Sequence, residues 1–292
     1  MPAALANLVP AGRARLTQRW MLVFAAVICL VTAVMLTRTA IEQLNSSTAL
    51  ADVDAAGGLD TAAKLVDAIA STTLMIMFAG AAAVLTELAL PQPMELLRGV
   101  GSGKFFGGMA GATAGYIAIV FFNGRFAAWL LTARPYPGSA VTGPDMLGRD
   151  LAESVGAALI EELLLFAIPL ALLGMSTTRR GIKWGGRALV IALRFGIHLY
   201  YGVGFAAVLA IPWIIGAWLL YRAIGTIWPL IIGHTLYDAA VFTMMRTDEL
   251  WVSPALWVVA LVGGVLLLAT VRRWGRSARP AAAAGPPPPL HR

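Results

Sequence analysis

Cysteine is almost absent from this chain: Cys29 is the only one in 292 residues. A single thiol excludes an intrachain disulfide framework and any cysteine-based metal cluster. Charge is scarce too. Charged residues make up 13% of the chain, about half the share of a typical soluble domain. Hydrophobic residues reach 59%. That balance excludes an ordinary water-soluble globule and points to a polytopic membrane protein. Histidine is rarer still, with three residues. No internal repeat and no second soluble domain can be read from the sequence.

The net charge of +7 invites a nucleic-acid reading, but the basic residues gather at the ends of apolar runs. That distribution writes membrane topology, so no nucleic-acid partner is expected. Apolar runs long enough to span a bilayer fall at roughly 20–41, 65–89, 105–123, 151–174, 187–203, 205–222, 226–245 and 252–271. The expectation is an all-α helical bundle of about eight spans; seven is the competing count. Met21 to Leu36 follows Arg13, Arg15 and Arg19 as a signal peptide would, but no clean cleavage site follows, so an uncleaved first span is expected. With the N-terminus inside, fifteen Lys and Arg residues fall on inside segments and six outside. Both termini are therefore expected in the cytoplasm, with the protein in the plasma membrane. The chain divides into a cytoplasmic segment at 1–19, a transmembrane domain at 20–271 and a tail at 272–292. The tail runs through Ala281–Ala284 and Pro286–Pro289, a composition expected to be disordered and partly polyproline.

Ionisable residues interrupt three of these apolar runs well inside their ends. Glu161 and Glu162 stand together in the fourth, His198 lies in the fifth, and His234 and Asp238 lie in the seventh. An ionisable group in hydrocarbon costs about 2.5–3.5 kcal/mol on insertion scales, so grouping them points to a site. Neighbouring residues on an α-helix diverge by about 100°, so Glu161 and Glu162 are expected to differ in role. Arg194 and His198 are one turn apart and share a face. A buried arginine needs a carboxylate, and Glu161 or Glu162 is the nearest candidate. His234 and Asp238 share the same i, i+4 spacing. Glu161, His198, His234 and Asp238 together offer two nitrogens and two carboxylates. This set suits a zinc ion with an open position for water. It equally suits a metal-free site in which Glu161 and His198 activate water while the others stabilise an oxyanion.

The pattern resembles the CPBP intramembrane proteases, the CAAX-protease and bacteriocin-processing group also called the ABI family. The similarity covers about 148–245 and rests on Glu161-Glu162, the Phe195 approach to His198, and His234-x-x-x-Asp238. It implies a helical membrane enzyme that hydrolyses a peptide bond of a membrane-associated or prenylated-type substrate, with its cavity between spans four, five and seven. By that resemblance Glu161 is the general base and His198 its partner. His234 and Asp238 bind metal or stabilise the tetrahedral intermediate, and Glu162 supports. The family's Glu-Glu-x-x-x-Arg has Phe166 here in place of Arg. Its Phe-x-x-x-His has Arg194 in place of Phe. Arg194 is expected to supply the missing guanidinium from a neighbouring helix.

Other readings stay open. A non-catalytic chaperone or immunity-type module of the same fold is favoured by Phe166, and a proton-coupled transporter could use the same groups as a relay. A bis-histidine haem through His198 and His234 is a further alternative. Gly99 to Lys104 imitates a phosphate loop, but Arg98 stands where Gly is needed and Phe105 where Ser or Thr is needed. Gly107, Gly108, Gly111 and Gly115 are expected to pack helices closely, and Trp20, Tyr200, Tyr201 and Trp251 to anchor span ends at the interface.

Overall fold

A computed structural model describes residues 11–45, 61–89, 103–131, 147–176, 180–224, 226–247 and 251–277. The acidic segment at 52–60, the glycines at 99–101 and the tail beyond 277 lie outside the described residues, as does His291. Among the described residues there is no strand. The helices are α1 Ala11–Asn45, α2 Thr61–Ala89, α3 Gly103–Leu131, α4 Leu147–Ala158, α5 Ile168–Ser176, α6 Arg180–Ile197, α7 Val203–Ile224, α8 Trp228–Thr247 and α9 Val252–Ser277. A π-helical stretch, Leu159–Ala167, joins α4 to α5, and a short 3₁₀ turn, Leu199–Tyr201, joins α6 to α7. Helix is the expected answer of such a sequence to lipid, because every backbone N–H and C=O must then be satisfied within the segment.

Among the described residues, five helices are long and apolar enough to cross a membrane: Arg19–Ile41, Ile69–Thr86, the rod Leu147–Leu172, Val203–Tyr221 and Val252–Ala269. The protein is thus a helical membrane protein. Helix already begins at Ala11, inside the segment assigned to the cytoplasm. The last helix runs to Ser277, six residues beyond the expected domain boundary.

The rod through the π stretch is the most enclosed of the five. Its π portion packs on α1, α2, α6 and α8. Helix α3 forms a second centre, packed against α7, α8 and α9. There the expected glycine packing is found in part. A Cβ built on Gly111 would meet Leu266 at 3.6 Å and one on Gly115 would meet Leu267 at 3.5 Å, while Gly108 faces open space. The closest approach belongs to Gly263 of α9, where a Cβ would sit 1.9 Å from the Ala114 carbonyl oxygen. Helix α7 carries Pro212 in its interior. The loss of one backbone donor there is tolerable within a packed bundle. Nearby, Asn123 Nδ2 of α3 donates to the Leu209 carbonyl at 2.6 Å and ties the two helices together. Trp20 and Trp251 are exposed, as interfacial anchors would be.

Candidate functional site

Glu161 and Glu162 lie in the π stretch, where the backbone winds wider than an α-helix; the N–H of Ile168 donates to the Leu163 carbonyl, five residues back. More residues per turn means less rotation between neighbours, so two adjacent carboxylates can approach one partner. They do so here. Arg194 Nη2 lies 2.9 Å from Glu162 Oε1 and 3.0 Å from Glu161 Oε2. The 100° divergence expected of an α-helix does not hold, because the segment is not α-helical. Short π-helical segments inside α-helices recur at functional sites.

The two carboxylates nevertheless differ. The Glu162 side chain is 1% exposed and that of Glu161 15%. Glu162 Oε1 accepts from three donors: the Tyr116 hydroxyl, Arg194 Nη2 at 2.9 Å and His234 Nδ1 at 2.9 Å. Glu161 Oε2 is buried and accepts no hydrogen bond at all, since Arg194 Nη2 is close but off axis. Arg194 Nε is the only other buried side-chain polar atom among the described residues without a partner.

Arg194 and His198 share a face as the spacing predicts. His198 follows directly on the end of α6, and its Nδ1 lies 2.7 Å from the Arg194 carbonyl oxygen. A carbonyl only accepts, so Nδ1 carries the hydrogen. With the ring neutral, Nε2 carries a lone pair; it faces Glu161 Oε2 at 3.7 Å. At that separation the two atoms do not hydrogen-bond to each other.

His234 and Asp238 also share a face, with Nε2 3.2 Å from Asp238 Oδ2. Its other nitrogen is on Glu162. Both ring nitrogens face carboxylates, and His234 donates to both only as imidazolium. Neither nitrogen is directed at an open position in this arrangement. Asp238 is 23% exposed and orients the ring.

Sequence reasoning missed two residues. Trp213 Nε1 of α7 donates to the Tyr116 hydroxyl of α3 at 2.6 Å, and Tyr116 donates in turn to Glu162. The Trp213 face lies under the Arg194 guanidinium at 4.0 Å, and its ring centroid is 5.5 Å from that of His198 and 5.2 Å from that of His234. Neither residue falls within the recognised motifs. The only signal was a polar aromatic inside an apolar run, which membrane helices offer often. Phe166 is buried edge-on against Tyr221 at 6.2 Å, a packing contact outside the ion network.

Among the described residues, no three His, Cys, Asp or Glu side chains converge as a metal-ligand set. Glu161, His198, His234 and Asp238 are engaged with Arg194, Glu162, the backbone and one another rather than grouped around one point. The Arg194 cation stands between the two glutamates, His234 is held between two carboxylates, and His198 spends one nitrogen on the backbone. Both His234 nitrogens face carboxylates. No protein-family profile, curated protein or solved structure matches this chain.

Proposed function

We propose that the protein is a CPBP-type intramembrane endopeptidase in which Glu161 and His198 activate a water without metal. The observation that carries this reading is Glu161 Oε2, ion-paired with Arg194 but accepting no hydrogen bond, facing His198 Nε2 at 3.7 Å. A water to one side of this pair donates one hydrogen to each and keeps a lone pair for attack. Its oxygen bonds to the peptide carbonyl carbon as one proton passes to Glu161, and the carbonyl oxygen becomes an oxyanion. The C–N bond then breaks as Glu161 returns that proton to the leaving nitrogen. The second water hydrogen remains on the new carboxyl group. Glu162 stays ionised throughout as the anchor of Tyr116, Arg194 and His234.

The same reading places about eight spans in the plasma membrane, with both termini in the cytoplasm. The cavity opens toward the cytoplasm between the Glu161 rod, α6 and α8. The substrate is a membrane-associated peptide, prenylated or otherwise, presented beside the bilayer.

Purified wild type and Glu161→Gln, assayed on a library of membrane-anchored peptides with and without a chelator, test this. Wild-type cleavage should survive the chelator and fall by about 10²–10⁴ in the variant, the usual contribution of a general base, with unchanged thermal unfolding. Cleavage abolished by the chelator and restored by zinc would overturn the metal-free mechanism. A well-folded wild type that cleaves nothing would overturn the endopeptidase reading in favour of a non-catalytic module.

A further inference from the structure

We propose that Arg194 is itself a catalytic residue, whose Nε–H holds the carbonyl oxygen of the scissile bond and the oxyanion that forms there. The inference rests on the endopeptidase reading and names the electrophilic partner that the reading lacks.

Two buried polar atoms of the site are left without hydrogen-bond partners, and they are of opposite kind. Glu161 Oε2 is an acceptor and Arg194 Nε a donor. Buried groups of this sort are nearly always paired, and an exception asks for a ligand. The two belong to side chains that meet at 3.0 Å. Hydrolysis of an amide needs such a combination side by side. The acceptor takes the proton of the attacking water, and the donor takes the oxygen on which negative charge develops.

The rest of the guanidinium is already fixed. Nη2 is held by Glu162 Oε1 at 2.9 Å, and the flat face lies over Trp213 at 4.0 Å. Arginine's donors form a rigid planar fork, so fixing one edge and one face also fixes the direction of Nε–H. A donor held in place before reaction costs no reorganisation during it. Tyr116 and Trp213 thereby act as positioning residues, through Glu162 and the cation–π contact. His234, the other candidate for this role, has both nitrogens on carboxylates. The ligand so defined is a peptide carbonyl that becomes tetrahedral and anionic. Arg194 gives it a hydrogen bond and keeps its proton.

The test uses the full chain in lipid nanodiscs. Arg194→Lys keeps a cation between the glutamates but has no Nε–H. For a peptide that the wild type cleaves, kcat should fall about a hundredfold, the usual loss of one oxyanion donor, with KM unchanged. A peptidyl phosphonate, whose tetrahedral anion imitates the intermediate, should bind the wild type more tightly than the parent peptide. Arg194→Lys should lose that preference while retaining the parent peptide. A purely structural role would shift the thermal unfolding of the variant and leave kcat per folded molecule and phosphonate preference intact; that result overturns the proposal. If Arg194→Lys does not fold, the slowly exchanging arginine Nε–H resonance of the wild type replaces it. A downfield shift on phosphonate binding supports the assignment, and an unmoved resonance overturns it. A wild type that neither cleaves nor binds phosphonate overturns the endopeptidase reading and this inference together. Wild-type cleavage with Arg194→Lys unimpaired overturns this inference alone.

Discussion

At the residue scale, the adjacent glutamates share one arginine and divide two kinds of work. Glu162 satisfies three buried donors at a single oxygen, whereas Glu161 keeps an oxygen that accepts from none. Removing one partner of a buried ion pair costs about 3–5 kcal/mol, because the other charge is left uncompensated. Glu162→Gln should therefore be strongly destabilising, or fail to fold, as read by thermal unfolding in detergent. Glu161→Gln leaves Arg194 paired with Glu162 and should unfold within a few degrees of wild type. Equal destabilisation by the two substitutions would contradict this division. The sequence carried part of this arrangement openly. A lone arginine in an apolar run predicts a carboxylate partner, and Arg194 finds one in each glutamate. It did not reveal Tyr116 or Trp213, which come from helices distant in sequence and carry no motif.

At the element scale, the site depends on how closely helices approach. Helix α9 passes so near α3 that Gly263 has no room for a side chain against the Ala114 carbonyl. Backbone cannot yield as a side-chain tip can. Gly263→Leu should therefore force α3 and α9 apart and lower the yield of folded protein. Gly264→Leu, where a Cβ would meet its nearest neighbour, Phe122, at 3.8 Å, should be tolerated. Size-exclusion profiles and thermal unfolding of the pair will show the contrast. Because α3 also carries Tyr116, the helix contact reaches the site through the hydroxyl on Glu162. The π stretch is the second determinant at this scale. Its wider winding turns Glu161 and Glu162 closer together than an α-helix would, and it was not legible in Leu159–Ala167 as a string of apolar and acidic residues.

At the scale of the whole molecule, the scarcity of charge and the length of the apolar runs account for the helical membrane architecture. The proposed topology makes a direct prediction. In a Cys29→Ser background, a cysteine at Ala55 should react with an impermeant maleimide in intact cells, and one at Ala283 only after permeabilisation. The opposite pattern would invert the orientation and move the proposed opening to the other side. Cys29 is buried in α1, so its replacement leaves the lipid-facing surface little changed.

By itself the sequence determined the helices and the local pairs. Lipid leaves an apolar run little choice but helix, and i, i+4 spacing places Arg194 with His198 and His234 with Asp238 by local geometry alone. Only the tertiary structure decided what these pairs face. His234 meets Glu162 as well as Asp238, Arg194 lies between two carboxylates and over an indole, and one acceptor and one donor are left unfilled. Such contacts depend on how helices far apart in sequence are rotated against each other, and that is set by packing, close glycine approaches and a local change of helical winding.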